Sequence, residues 1–436
     1  MVTAAAPALA PRAAAAQTAG SQLRTHLPIV AIDAPQAIRD DPKLRARMRV
    51  IDRPGERRNS VRSAANAYRG QIAIELRGRS SQRFPKKSYG LETRTRGGGN
   101  RNVSLLGLPR ENDWILYAPY NDKTLMRNAL AYETARRLGR YASRTRYVEL
   151  VLNGRYEGVY VLMETPKLDD ERVRVADRGL SGGYLLEFTF ADQVRGGRSS
   201  FRLPTTRRAV VFQDPDAEDL SRRERAWITR HLRRAERALY GRRFRSPTRG
   251  WRAYLDEAAL VDFVLLNELF KNQDAFRAST FLSKGAGAKL QLGPIWDFDI
   301  AMGNSNYGES RALGGWLLTR RDWAERLYRD RRFTQAMGRR WRSLRRAGLR
   351  DDLLRSVERH AAEIGGARER NFRRWPVLGR YVWPNPVDPR TGRVRTTYRS
   401  EVEFLESWLE RRIDWIDGHI AQLPRRRPSG SGNGPA

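Results

Sequence analysis

An α+β fold in two lobes, strand-rich in the first half and helix-rich in the second, is predicted by three observations. Several segments before residue 190 alternate apolar and polar side chains with a period of two. The dipeptide Asn153-Gly154 stands between two such runs, a turn signal for a tight hairpin. Beyond residue 320, Trp, Leu and Arg recur at amphipathic helical spacing. No internal repeat is apparent. In chain order, residues 1–24 are Ala/Pro-rich and are expected to be a disordered leader or the remnant of a signal peptide. Gln71–Arg77 reads as a strand, with Ile72, Ile74 and Leu76 on one face, and Lys87–Glu92 as its partner across RGRSSQRFP. A helix is predicted over 122–137, with Asp122 as N-cap and Leu125, Met126, Ala129 and Leu130 on one face. Tyr147–Leu152 and Tyr156–Met163 form the hairpin, and Tyr184–Phe190 adds a strand. A second helix spans Tyr254–Lys271; two short strands, Thr280–Ser283 and Lys289–Leu292, then lead into IWDFDIAMG. The last helix covers Ser400–Gln422, and 424–436 is a basic Gly/Ser/Pro tail expected to be disordered.

The balance of 40% hydrophobic and 30% charged residues is that of a globular chain and excludes a wholly disordered or fibrous protein. No apolar run approaches 18 residues, so no membrane span is expected. The absence of cysteine excludes disulfides, thiolate nucleophiles and cysteine-ligated metals. The formal charge of +34 suggests a polyanionic partner, but it is spread from Arg12 to Arg427. Of the 83 basic residues only eight are lysine. So uniform an arginine excess reads first as the coding bias of a G+C-rich genome. The lysines therefore stand out, and seven of the eight lie between 86 and 289. A compact ammonium does what a guanidinium cannot, so this middle region is the place to look for chemistry.

The four histidines, His26, His231, His360 and His419, have no second ligand at metal spacing, which argues against a zinc site or a Ser-His-Asp hydrolase. Carboxylates, lysines and hydroxyls remain, a set suited to oxygen-ligated magnesium and a phosphate-bearing substrate. Asp274 directly follows a predicted helix, and Asp297 and Asp299 follow the predicted hairpin strand in GPIWDFDIAMG. A lone aspartate usually only caps a helix or turn; three clustered this way can serve phosphoryl transfer. Asp274 has the place of the carboxylate near the attacking hydroxyl, and Asp297 with Asp299 that of the metal ligands. The basic counterpart is RGRSSQRFPKKSYGLE, where Lys86 and Lys87 take opposite faces of a strand and Gly78, Ser80 and Ser81 form a donor-rich turn. Neither a Walker motif nor G-x-G-x-x-G occurs.

In order along the chain, RGRSSQRFPKKSYGLET, NDWILYAPYNDKTLMRNALAYETARRLG, YVELVLNGRYEGVYVLMETPKLDDERV, GGYLLEF, LNELFKNQDAFRASTFLSK and GPIWDFDIAMGN resemble the CotH kinase family, the spore coat protein H-like atypical protein kinases. These stretches cover roughly residues 70–305. The resemblance implies one kinase-like domain over 25–423, with a divergent two-lobed protein-kinase fold, core motifs at 70–305 and a helical part at 306–423. It implies binding of ATP with Mg²⁺ or Mn²⁺ and phosphorylation of Ser/Thr in coat or envelope proteins. By motif, Asp274 looks like the catalytic aspartate, Asp297 the metal-binding aspartate, and Asp299 its acidic neighbour. Lys86 or Lys87 is the implied phosphate contact and Glu133 its candidate helix partner. Arg127 and Asn128 are positioning or structural residues, while Glu164 and Glu187 read as structural. One departure stands out: Ser279 occupies the place, five residues after Asp274, where a kinase loop carries a metal-binding asparagine.

Two rival readings accompany this one. Ser279 raises that of a catalytically inactive scaffold in a coat or envelope layer, and the arginine excess that of a cationic protein binding nucleic acid or an acidic polymer. No nucleic-acid motif accompanies the charge. The resemblance favours a secreted or cell-surface bacterial protein; without a visible signal peptide, a cytoplasmic location is kept open.

Overall fold

The structure, a computed structural model, describes residues 20–54, 58–175, 179–190, 194, 199–388 and 391–423. The expected leader, apart from residues 20–24, and the expected basic tail lie outside the described residues. The chain divides into two compact units. One comprises Met1–Ala129, Ser143–Thr165 and Val357–Val402, the other Leu130–Ala142, Pro166–Ser356 and Glu403–Ala436.

The first unit holds a short pair, β1 (Arg24–Thr25) with β4 (Asn59–Ser60), and seven longer strands. These are β2 (Ile29–Asp33), β3 (Leu44–Ile51), β5 (Tyr68–Arg77), β6 (Ser88–Arg94), β7 (Asp113–Tyr117), β8 (Thr145–Leu152) and β9 (Arg155–Glu164). They close into a barrel in the order β2-β3-β5-β6-β7-β9-β8. Every neighbouring pair is antiparallel except the closing one, where Ile29–Ile32 run parallel to Glu149–Leu152. Alternation explains the interior: Val30, Ile32, Met48, Val50, Ile72, Ile74, Leu91, Leu116, Val148 and Leu150 fill it. Ile29, Ala31 and Val151 point the other way and are covered by Leu23, Val61 and Tyr156. The expected β5–β6 pairing is present with Arg77 opposite Ser88, and RGRSSQRFP contains a single 3₁₀ turn, Ser80–Arg83. Asn153 (φ 49°) and Gly154 (φ 73°) make the expected tight turn between β8 and β9. A closed barrel was not among the expectations from sequence.

The second unit contains a sheet in the order β11-β12-β10-β13-β14, from β10 (Tyr184–Thr189), β11 (Ser200–Arg202), β12 (Ala209–Asp214), β13 (Thr280–Lys284) and β14 (Gln291–Leu292). Over both units, the α-helices of the described residues are α1 (Arg127–Arg137), α2 (Arg222–Tyr240), α3 (Glu257–Phe270), α4 (Asp322–Tyr328), α5 (Arg331–Arg346), α6 (Leu349–Ile364), α7 (Ala367–Arg374) and α8 (Tyr398–His419), of which α7 lies in the first unit. The mixed α+β class, with strands early and helices late, is as predicted.

The predicted start of α1 requires correction. Asp122 does not cap it, because Leu125 adopts a left-handed φ of 65° that no α-helix can pass through. Asp122 instead closes the preceding turn, accepting from the backbone N–H of Thr124 (3.1 Å) and Arg127 (2.8 Å) and pairing with the buried Arg127 guanidinium (2.5 Å). The helix from Tyr254 to Lys271 is real but shorter. Asp256 caps it by accepting from Ala259 N–H (2.7 Å), and Lys271 ends it with a left-handed φ of 50°.

Candidate active site

All three predicted aspartates lie in the second unit, on loops that α3 and α1 hold in place. After Lys271 reverses the backbone, Asn272 N–H bonds back to Asn267 O (3.0 Å) and the Asn272 carbonyl oxygen accepts from Asp274 N–H (3.1 Å). The other end of the same amide donates to Trp296 O (3.1 Å), tying the Asp274 loop to the segment that carries Asp297. Asp274 O in turn accepts from Arg277 and Ala278 N–H, both at 2.8 Å. On the other loop, Trp296 stacks on Tyr132 of α1 (centroids 5.6 Å apart), and Asp297 N–H donates to the Tyr132 hydroxyl (3.2 Å). Phe298 is fully buried against Phe270 and Tyr132. The pattern W-D-F-D therefore anchors its aromatics inward and leaves Asp297 and Asp299 half-buried on the loop.

It is not strand geometry that brings those two carboxylates together. β14 ends at Leu292, and Asp297 has a left-handed φ of 62°. It is this bend that accompanies the side-chain hydrogen bond between Asp297 and Asp299. Among the described residues, five of the ten non-glycine residues with left-handed φ lie between 271 and 302: Lys271, Phe276, Ser279, Asp297 and Met302. Such conformations are costly and concentrate where surrounding structure enforces them, as at active sites.

The electrostatics follow from this crowding. Burial raises the Asp274 carboxyl above its ordinary value, against the pull of Arg277 and Arg321. Burial first, then Asp299 and Asp274, hold Asp297 well above the carboxylate range, with Glu187 adding to the effect. The Tyr307 phenol is pushed up to about 12 by burial and by the same three aspartates. Arg321 is lowered by burial and by the neighbouring Arg277. The cluster thus includes Glu187, Arg277, Arg321 and Tyr307, none of which sequence reasoning placed in a site. Arg277, three residues after Asp274, was within reach of a motif argument; Arg321 and Tyr307 carry no local signal. Glu187, expected to be structural, accepts from the Gln213 amide and also adds to the field on Asp297. The Ser279 hydroxyl makes no hydrogen bond among the described residues.

Among the described residues no three His, Cys, Asp or Glu side chains are gathered closely enough to hold a metal by themselves. Asp297 and Asp299 nevertheless fit a hard divalent ion. Two hydrogen-bonded carboxyls share a proton unless a cation takes its place. Magnesium is commonly held by one or two carboxylates, with phosphate and water completing the shell.

The basic candidates belong to the first unit. Gly78 (φ 98°) opens the turn before β6, and a Cβ there would sit 1.9 Å from Ser81 Oγ. Lys87 is half-buried and its ammonium donates to Gln82 O (2.6 Å). Lys86 is buried, donating to Val159 O (2.5 Å) and Asn371 Oδ1 (2.9 Å) and lying 4.9 Å from the Tyr160 ring centre. Glu133, in the second unit, binds Arg137 (2.7 Å) and Ser356 Oγ (3.5 Å). Asn128 is buried, and Glu164 is fully buried against the Arg144 guanidinium (2.7 Å) and N–H (2.8 Å).

Burial lowers the Lys86 ammonium to about 7, assisted by Arg374 and opposed by Glu157. A neutral amine still supplies both hydrogen bonds. Between pH 7 and its unfolded value of 10.5, the unfolded chain binds a proton the folded one does not, so stability from this group rises with pH. Lys86→Met removes both hydrogen bonds at a cost of about 1–3 kcal/mol. Its deficit against wild type in urea unfolding should be larger at pH 9.5 than at pH 7. A deficit independent of pH would mean that the lysine stays charged.

The family model described as CotH kinase protein matches residues 74–416, spanning every candidate above. No curated protein matches the chain.

Proposed function

Because this chain belongs to the CotH kinase protein family, we propose that it transfers the ATP γ-phosphoryl group to Ser or Thr hydroxyls of secreted, coat or envelope proteins with Mg²⁺ or Mn²⁺. The observation that supports this most is the gathering of Asp274, Asp297 and Asp299 on adjoining loops, with Asp297 held well above the ordinary carboxylate range by its neighbours. When bound, the nucleotide and divalent ion would supply the phosphoryl group and neutralise its oxygens. Asp297 and Asp299 would hold the cation in place of the proton between them. Asp274 orients the acceptor hydroxyl and takes its proton, a task its burial-raised basicity favours. Arg277 and Arg321 set positive charge beside Asp274, where negative charge would otherwise accumulate. Of the two lysines, Lys87 would be the one to meet phosphate, since the Lys86 amine is already enclosed by three partners.

The test is calorimetric titration of ATP with Mg²⁺ and then Mn²⁺, together with incorporation of γ-labelled phosphate into the protein and into casein. Lys87→Met should raise the ATP Kd about ten- to a hundredfold, the worth of one charged hydrogen bond, with little change in melting temperature. Lys86→Met should do the reverse, losing stability first. A second reading, a scaffold without transfer activity, is favoured by Ser279, whose hydroxyl stands where a kinase loop carries an amide ligand. Absence of both nucleotide binding and incorporation would select it. No helix of the described residues is long and apolar enough to cross a membrane.

A further inference from the structure

We propose that an arginine-lined groove at the N-terminal end of α3 binds an extended acidic peptide. The groove lies wholly within the second unit and encloses about 1240 Å³ between the first turns of α3, the outer face of α5 and the end of α1. It is distinct from the aspartate cluster: Asp274 follows the opposite end of the 14-residue α3, a helix about 21 Å long.

Five arginines line it: Arg140, Arg252, Arg332, Arg339 and Arg340. Three are neutralised in place. Arg140 and Arg340 both bind Asp262 at 2.7 Å, and Arg252 binds Glu257 (2.7 Å) and Asp330 (2.5 Å). Among the described residues, the guanidiniums of Arg332 and Arg339 have no partner, and both are exposed. They stand seven residues apart on α5, two turns along one face, with Gln335 and Ala336 between them. That spacing is about 10.5 Å. In an extended peptide of polyproline-II geometry, which has three residues per turn, carboxylates three residues apart project from one edge about 9 Å apart. Ala258, Val261 and Ala336 add apolar lining, which suits aliphatic side chains between two acidic ones. No aromatic side chain lines the groove, so it has no platform on which nucleic-acid bases could stack. Glu257 and Asp262 also interrupt the positive field that a continuous phosphate backbone would follow. The occupant favoured is therefore a peptide of the form acidic-x-x-acidic with apolar intervening residues.

The test is fluorescence anisotropy of the full chain with a labelled dodecapeptide carrying Glu-Leu-Leu-Glu. Its comparators are a permutation with adjacent glutamates, a twelve-base oligothymidylate, and a charge-matched control variant. Arg332→Glu with Arg339→Glu should weaken the first peptide about tenfold or more. Arg223→Glu with Arg230→Glu, two exposed positions on α2, applies the same charge change and should weaken it less than about threefold, the residual effect of net charge. The permuted peptide should bind more weakly than the first. Equal loss in both double variants, equal binding of the two permutations, or tighter binding of oligothymidylate at the same site would each overturn the proposal. None of these readings depends on phosphoryl transfer, so they stand apart from the kinase assignment.

Discussion

Asp297→Asn is expected to abolish phosphate incorporation, by about 10²- to 10⁴-fold or more, while the protein without metal melts at or above the wild-type temperature. The two halves of this result have one cause. In wild type, burial and the carboxyls of Asp299 and Asp274 disfavour a charged Asp297. An asparagine of the same shape keeps the hydrogen bond to Asp299 and the backbone contact to Tyr132, and removes the repulsion. It also removes the charge proposed to hold a cation. Mg²⁺ with ATP should therefore raise the wild-type melting temperature by ligand linkage and leave the variant where it was. Asp274→Asn should lose incorporation to a similar degree yet keep part of the metal-dependent shift, because the role proposed for it lies at the acceptor hydroxyl. Incorporation assays and thermal melts, each with and without metal, check this. If Asp297→Asn melts several degrees low, the carboxylate is a structural cap and its metal role fails.

Arg412→Leu is the substitution expected to cost the most stability, about 3–5 kcal/mol, the range for stranding one partner of a buried ion pair. Arg412 and Glu268 are both fully buried. The guanidinium donates to Glu268 O (2.9 Å), Leu313 O (2.6 Å), Gly315 O (2.9 Å) and Glu268 Oε2 (3.3 Å). Glu268 also accepts from Leu317 N–H (2.8 Å), Leu318 N–H (2.7 Å) and the Tyr328 hydroxyl (2.8 Å). The pair thus joins the last turn of α3, six residues before Asp274, to the 313–318 segment and to α8. Arg412→Lys should not rescue it, since one ammonium cannot reach carbonyls spread around a planar fork. Burial already holds the Glu268 carboxyl above its ordinary value, against Arg412. A group raised on folding stabilises most at low pH and loses that contribution as pH climbs through its folded value. Without Arg412 the rise is greater, so the deficit of Arg412→Leu should widen from pH 5 to pH 8. Glu268→Gln in the same background should recover part of it. Urea unfolding at the two pH values measures both effects, and a deficit under about 1 kcal/mol would show that the pair is not structural.

Much of the local structure was legible because neighbouring residues decide it. Asn153-Gly154 turns where expected because both positions accept positive φ. The β5–β6 pairing followed from alternation, α3 from its apolar pattern and the Asp256 cap, and the aspartate trio from its place beside a helix end and a hairpin. Misreadings arose where a side chain found a better use than its local role. Asp122 looked like an N-cap, but the buried Arg127 and a left-handed Leu125 made it the lock of a turn. Lys86 was one of two candidate phosphate contacts, but its side chain is bound by Asn371, 285 residues away in sequence.

What the sequence by itself determined is the side-chain chemistry on offer: carboxylates and hydroxyls without thiolates, three aspartates in one stretch, lysines retained where arginine is the default, strands before helices, and motifs in an order that marks the family. Tertiary structure alone decided the closure of seven strands into a barrel, the left-handed bend at Asp297, and the addition of Glu187, Arg277, Arg321 and Tyr307 to the carboxylates. The physical reason is that residue type and periodicity are local quantities. Barrel closure pairs Ile29 with Glu149, and the field at Asp297 sums charges from loops and strands up to 110 residues away, Glu187 being the farthest. Such contacts pay their chain entropy only once the whole unit is packed, and no window of sequence contains them.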